Sequence, residues 1–208
     1  YEGSTKIFAD QFTGEYDEWG NEIWERVLTT LPLGVSYDVA TNTMTLTNAN
    51  LQSLHLNYHN QWQDEEGNFY EEYNLPNENF TLNLVGYNTI SNTKNTALGL
   101  HNGVQATITG TGSLNLKSTN SIYNVNKEGI RYAYDTVRLD QSSLTIAGSS
   151  KVTAAIDGQG YHDNDACWAH AIAGDYENAT LTVKDGASLT VSLPLNARRY
   201  DDTDSYDG

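Results

Sequence analysis

At 208 residues the chain has the length of one domain, and its apolar content of 38% is enough to bury a core without disulfides; the single cysteine, Cys167, has no internal partner. Acidic residues outnumber Lys plus Arg by 27 to 11, giving a net charge of −16, so the basic footprint that nucleic acid or an anionic membrane surface requires is missing. No apolar run approaches the length of a transmembrane helix, and abundant Thr, Asn, Gly, Ser and Tyr with few Lys and Arg is the profile of a secreted β-rich protein, not of a helical cytosolic enzyme.

The chain begins at Tyr1, not Met, and is expected to be a processed or excised piece of a larger multidomain protein. The first expected element is a helix. Ile23, Trp24, Val27, Leu28 and Leu31 recur at helical offsets, and Pro32 and Gly34 stop the pattern. Residues 1–34 are therefore read as a cap region whose short amphipathic helix covers the open end of the strand-rich segment after it, with another strand as the alternative reading of the same residues.

Residues 35–192 carry one unit written five times. Two apolar residues flank a polar one, a turn residue comes two places later, and a second apolar arm closes the unit. The first copy is Met44-Thr45-Leu46-Thr47-Asn48, closing with Leu51 and Leu54; the second is Leu82-Asn83-Leu84-Val85-Gly86, closing at Ile90. The third, Ala106-Thr107-Ile108-Thr109-Gly110, closes with Leu114 and Leu116. The fourth, Leu144-Thr145-Ile146-Ala147-Gly148, closes with Val152 and Ala154, and the fifth, Leu181-Thr182-Val183-Lys184-Asp185, with Leu189 and Val191. Apolar residues at every second position lie on one face of a strand, and Gly, Asn or Asp between the arms supplies a bend. A strand–turn–strand ribbon cannot bury its own apolar face, so the copies must stack on one another. The expected fold is all-β, a β-solenoid of about five to seven coils in a single domain.

The copies start 38, 24, 38 and 37 residues apart, at Met44, Leu82, Ala106, Leu144 and Leu181. The shortest interval sets a coil of three short strands, and the longer ones hold a coil plus an insertion. Because each insertion falls between a closing arm and the next opening arm, stacking is expected to put all three on one side of the solenoid, the side to search for function. The first insertion, Asn57 to Tyr73, reads as a hairpin turning at Glu66-Gly67-Asn68; the second contains Tyr123, Arg131, Tyr132 and Tyr134; the third contains Tyr161, His162, Asp163, Asp165, Trp168, His170 and Tyr176. Residues 193–208 lack an apolar stripe and form an acidic tail or linker, after which either a loop or another domain is expected to cover the core.

The runs Gly34-Val35-Ser36-Tyr37-Asp38-Val39-Ala40-Thr41-Asn42-Thr43-Met44-Thr45-Leu46-Thr47-Asn48-Ala49, Leu82 to Ile90 and Ile108 to Leu114 resemble the β-helical domains of secreted and surface proteins of gut and rumen bacteria that are labelled carbohydrate-binding. The likeness covers roughly residues 25–192. It implies a right-handed parallel β-helix, an extracellular or cell-surface address, and attachment to larger proteins.

Aromatic rings interleaved with carboxylates and amides suit a sugar: a flat ring packs on a pyranose face while polar groups hold the hydroxyls. The candidate ligand-binding residues are Tyr58, Trp62, Tyr70, Tyr73, Arg131, Tyr132, Tyr134, Tyr161, Trp168 and His170. The same rings would also serve to pin long loops onto the solenoid wall. Asp163 and Asp165, with His162 and His170, are the candidate metal ligands, with calcium as the candidate ion, although no cofactor is required; an Asx turn explains the same residues. The expected function is a non-catalytic module that binds a polysaccharide or surface glycan. Two alternatives stand beside it: a structural stalk or protein-binding adhesin domain, and a calcium-dependent polysaccharide lyase, for which Arg131, Arg138 and Lys151 are the available bases. No phosphate loop or catalytic triad is legible, and no catalytic residue is assigned.

Overall fold

The structure is a computed structural model and describes residues 8–57, 62–63, 69–70, 79–93, 95–119, 135–157, 170–175 and 178–192. Across these the chain is all-β. It opens with an antiparallel pair, β1 (Phe8–Tyr16) and β2 (Glu22–Leu28), followed by β3 (Val35–Asp38), β4 (Thr43–Thr47), β5 (Asn50–Leu51) and β6 (Leu54–Leu56). A second antiparallel pair, β7 (Trp62–Gln63) and β8 (Phe69–Tyr70), comes next. Three strands then recur: β9 (Asn79–Val85), β10 (Tyr87–Asn92) and β11 (Leu98–Leu100); β12 (Gln105–Gly110), β13 (Ser113–Thr119) and β14 (Val137–Asp140). The series continues with β15 (Ser143–Ile146), β16 (Lys151–Asp157) and β17 (Ile172–Asp175), and ends with β18 (Thr180–Val183) and β19 (Ser188–Ser192).

Each circuit of chain gives one strand to each of three parallel sheets. The first sheet stacks β4, β9, β12, β15 and β18; the second β5, β10, β13, β16 and β19; the third β6, β11, β14 and β17. This is the arrangement of a parallel β-helix, with four complete coils and two strands of a fifth among the described residues. The bend between first and second sheets is where the repeat placed it. Asn48, Gly86, Gly110, Gly148 and Asp185 all have positive φ, at 51°, 69°, 106°, 69° and 57°. That region is open to Gly and, among other residues, chiefly to Asn and Asp, whose short polar side chains tolerate it.

Alternation fills the interior. Met44, Leu46, Leu82, Leu84, Ile108 and Ile146 face it from the first sheet, Leu51, Ile90, Leu114, Leu116 and Val152 from the second, and Leu54, Leu56, Leu98, Leu100, Val137 and Leu139 from the third, all buried. Two details of the repeat change. Leu82 pairs with Ile108, not Ala106, so the shortest coil is 26 residues (108 minus 82) rather than 24; a two-residue slip leaves the buried face unchanged because strand periodicity is two. Leu54 belongs to the third strand and not to the closing arm, which in the first coil is only Asn50–Leu51.

The expected cap helix is absent: residues 22–28 form β2. Its partner β1 sets Phe12 opposite Trp24 and Phe8 opposite Leu28, a pairing with a preceding segment that local periodicity does not report. The connecting turn is fixed by the Asp17 carboxylate, which accepts from the backbone N–H groups of Trp19 (2.9 Å) and Asn21 (2.8 Å) and from the Asn21 side chain (2.9 Å). These bonds, led by the Asn21 side chain, hold the Asp17 carboxyl below its ordinary pKa.

At the front of the solenoid β3 runs antiparallel to β4 and closes the first sheet. Tyr37 stacks on Phe80, with centroids 6.5 Å apart, and its hydroxyl donates to Asn42 Oδ1 while Asn42 Nδ2 donates to the Asn79 carbonyl. Burial, helped by the Asp38 charge, pushes the Tyr37 hydroxyl up to about 12. At the other end Leu181, Val183 and Val191 occupy the inward rows of the last coil yet are 40%, 43% and 51% exposed.

Candidate functional site

The third sheet is the wall that the long insertions bracket. The first insertion leaves from the end of β6, whereas the second and third lead into β14 and β17. The third strand thus splits the interval that had been read as one, and the insertions join opposite rims of a single wall instead of one side. The wall differs from the other two in its outer face. In the first and second sheets the outward residues of β9 and β13 are half-buried, whereas in β6 and β11 the outward His55 and Gly99 are as buried as their inward neighbours.

Register orders the outer face into rows. Hydrogen-bonded pairing aligns His55, Gly99, Arg138 and Ala173; the next outward positions, following Leu56, Leu100, Leu139 and Gly174, are Asn57, His101, Asp140 and Asp175. His101 Nε2 lies 3.2 Å from His55 Nδ1, and His101 Nδ1 lies 3.6 Å from Asp140 Oδ2. Gly99 makes that approach feasible, because a Cβ there would sit 2.4 Å from His55 Nδ1 and 2.6 Å from His101 Nε2. Burial lowers the pKa of both imidazoles. His55 falls to about 4, with the neighbouring His101 adding to the effect and a bond to the Thr96 backbone opposing it. His101 falls despite Asp140, which favours its charged form. Both rings are therefore neutral at pH 7.

A second cluster lies at the rim where β14 and β17 begin. Asp135 is buried, and its Oδ1 accepts from the His170 backbone N–H (3.0 Å) and from His170 Nδ1 (2.9 Å), while Oδ2 is 3.8 Å from the Arg138 guanidinium. The Thr136 N–H donates to the His170 carbonyl (2.9 Å), completing the strap between the two coils. With Nδ1–H donating to Asp135, Nε2 is the ring nitrogen left for another contact. The His170 and Arg138 side chains are about half exposed, at 52% and 42%, although both are anchored on a buried carboxylate. Such anchoring holds polar groups in place before a ligand arrives.

Of the candidate residues, His170 lies on this wall, and Trp62 stands opposite Tyr70 across the antiparallel β7–β8 pair; the expected turn at Glu66-Gly67-Asn68 lies outside the described residues. Tyr58, Tyr73, Arg131, Tyr132, Tyr134, Tyr161, Trp168, Asp163 and Asp165 lie outside the described residues. Among the described residues no three His, Cys, Asp or Glu side chains converge as a metal site would require, and no helix is long and apolar enough to cross a membrane. Sequence reasoning missed His55, His101, Asp135 and Asp140. The signal was present in the third strand, where Leu54-His55-Leu56, Leu98-Gly99-Leu100-His101 and Val137-Arg138-Leu139-Asp140 repeat one alternation.

Fold and wall together define the class: a parallel β-helix with a polar outer wall. No protein-family model matches the chain, nor does any curated protein or solved structure.

Proposed function

We propose that the protein is a non-catalytic, extracellular carbohydrate-binding or adhesion module of the bacterial β-helical kind, right-handed as parallel crossovers nearly always are, and that a polysaccharide or surface glycan lies across the wall of the third sheet. The observation that supports this most is the Asp135 cluster. His170 and Arg138 are exposed polar groups held by a buried carboxylate, beside the small residues Gly99 and Ala173 in the Arg138 row, where the second and third insertions enter. Fixed donors and acceptors on a flat strip suit sugar hydroxyls, and the aromatic residues of the insertions supply the apolar half of the contact. Calcium is an optional companion through Asp163 and Asp165. Isothermal titration against neutral and acidic polysaccharides, with and without calcium, tests the reading. Trp62→Ala and Trp168→Ala should weaken binding without unfolding the protein, and absence of binding at millimolar sugar removes the proposal.

A second reading, a stalk or protein-adhesion domain within a larger chain, is favoured by the exposed inward residues Leu181, Val183 and Val191, which form an apolar end of the kind a stacked neighbour covers. It predicts loss of stability, and no loss of any sugar affinity, on changing the insertion aromatics.

A further inference from the structure

β6 is one of the two edge strands of the third sheet, three residues long and, among the described residues, paired with β11 alone. So short an edge strand has few ladder hydrogen bonds, and with Leu54 and Leu56 buried in the core its outer side is where its attachment can be tuned. What reinforces it on the outside is the contact of His55, in β6, with His101, which comes directly after β11. The ring planes differ by 15° and the centroids are 5.5 Å apart with nitrogens at 3.2 Å, which leaves little more than one ring radius on each side. The two imidazoles therefore meet edge to edge, nitrogen to nitrogen, in nearly one plane. That geometry is satisfied by one N–H donating to one lone pair. With Asp140 favouring the Nδ1–H form of His101, its Nε2 accepts and His55 Nδ1–H donates.

We propose that the His55–His101 pair, backed by Asp140, is an acid-sensitive fastener that holds β6 to the third sheet and releases it when the rings protonate. The pair accommodates at most one extra proton, since two charged rings would face each other N–H to N–H, and burial at 7% and 6% exposure opposes even the first. The charged groups facing the pair, among the described residues, come from β14: Asp140 favours the protonated form of His101 and Arg138 opposes it. No other titratable side chain is contributed by β6 or β11 themselves. Gly99 belongs to the device, because no residue with a Cβ leaves room for the nitrogens to meet.

Proton linkage sets the sign. A histidine held neutral when closed and ordinary when open binds more protons in the open state, so the closed state weakens as pH falls from about 6.5 toward about 4. For His55 alone the closed-to-open ratio should drop roughly tenfold by pH 5.5 and roughly thirtyfold by pH 5. Hydrogen exchange of the whole chain, corrected for the intrinsic pH dependence of exchange, reads this directly. Amides of residues 54–56 and 98–101 should lose protection by those factors between pH 7.5 and pH 5, while residues 144–146 do not change. In the double variant His55→Gln/His101→Gln the selective loss should vanish. The inference is overturned if that variant shows the same selective loss, or if NMR titration of the unaltered protein finds both histidines at about 6.5; the second measurement holds whether or not the variant folds.

Discussion

Asn88 offers the sharpest test of how the coils hold together. It lies in an inward row of the second sheet, aligned with Leu114, Val152 and Leu189, and is fully buried. Its Oδ1 accepts from the Ala49 N–H of the preceding coil (2.9 Å), and its Nδ2 donates to the carbonyls of Val85 in its own coil and Ser113 in the next (3.2 Å each). One side chain therefore ties three coils. Asn88→Ala strands the buried Ala49 N–H, at about 1–3 kcal/mol, and removes two further bonds at about 1 kcal/mol each, so the expected loss is about 3–5 kcal/mol. Asn88→Leu restores the apolar row but abandons the same three backbone groups, and should still cost about 2–3 kcal/mol. Asn88→Asp keeps the acceptor for Ala49 and turns an oxygen toward two carbonyls; it should be worse than Ala at pH 7 and recover as acid protonates the carboxyl and returns a donor. Urea denaturation followed by circular dichroism measures all three. A loss under about 1 kcal/mol for Asn88→Ala, or an Asn88→Leu protein more stable than the original, refutes the reasoning.

Three other outcomes rest on contacts in the solenoid. Gly110→Ala should destabilise by more than about 2 kcal/mol, because φ is +106° and the new Cβ would meet the Leu84 carbonyl oxygen at 2.4 Å and its nitrogen at 2.7 Å, backbone atoms that cannot swing aside; thermal melting checks it. Phe80→Ala should cost about 3–5 kcal/mol and return the raised Tyr37 hydroxyl toward the ordinary phenol range, since it opens the front of the core beneath the Tyr37 ring; ultraviolet pH titration of tyrosine reads the second effect. Asp135→Ala should free the His170 ring while leaving the distant bends intact, giving rotational averaging of the imidazole by NMR relaxation and weaker glycan binding.

What the sequence reveals here depends on how local the determining physics is. The bends were legible because a positive φ restricts residue choice at one position, and Asn48, Gly86, Gly110, Gly148 and Asp185 each announce it. The buried faces were legible because period-two alternation survives a slip of two residues, as between Leu82 and Ala106. The third strand was obscured by its brevity: Leu98-Gly99-Leu100 is a three-residue signal. Strand β2 is ambiguous in the sequence because its stability lies in pairing with Phe8–Tyr16, while Ile23, Trp24, Val27 and Leu28 also satisfy a helical stripe by spacing. The irregular second repeat, which closes at Ile90 alone, has its explanation in Asn88, whose polar side chain breaks the apolar pattern but is satisfied by three backbone groups. The Asp135–His170 contact joins residues 35 apart in sequence and emerges only once β14 and β17 are stacked.

The most direct test of the proposed function is titration of the protein with a panel of plant and host polysaccharides, read by calorimetry beside the Asp135→Ala and Trp168→Ala variants. The account predicts saturable binding to at least one glycan, weakened in both variants while the circular dichroism spectrum stays that of the parent. Binding to none of the panel, or equal binding by parent and variants, would contradict it.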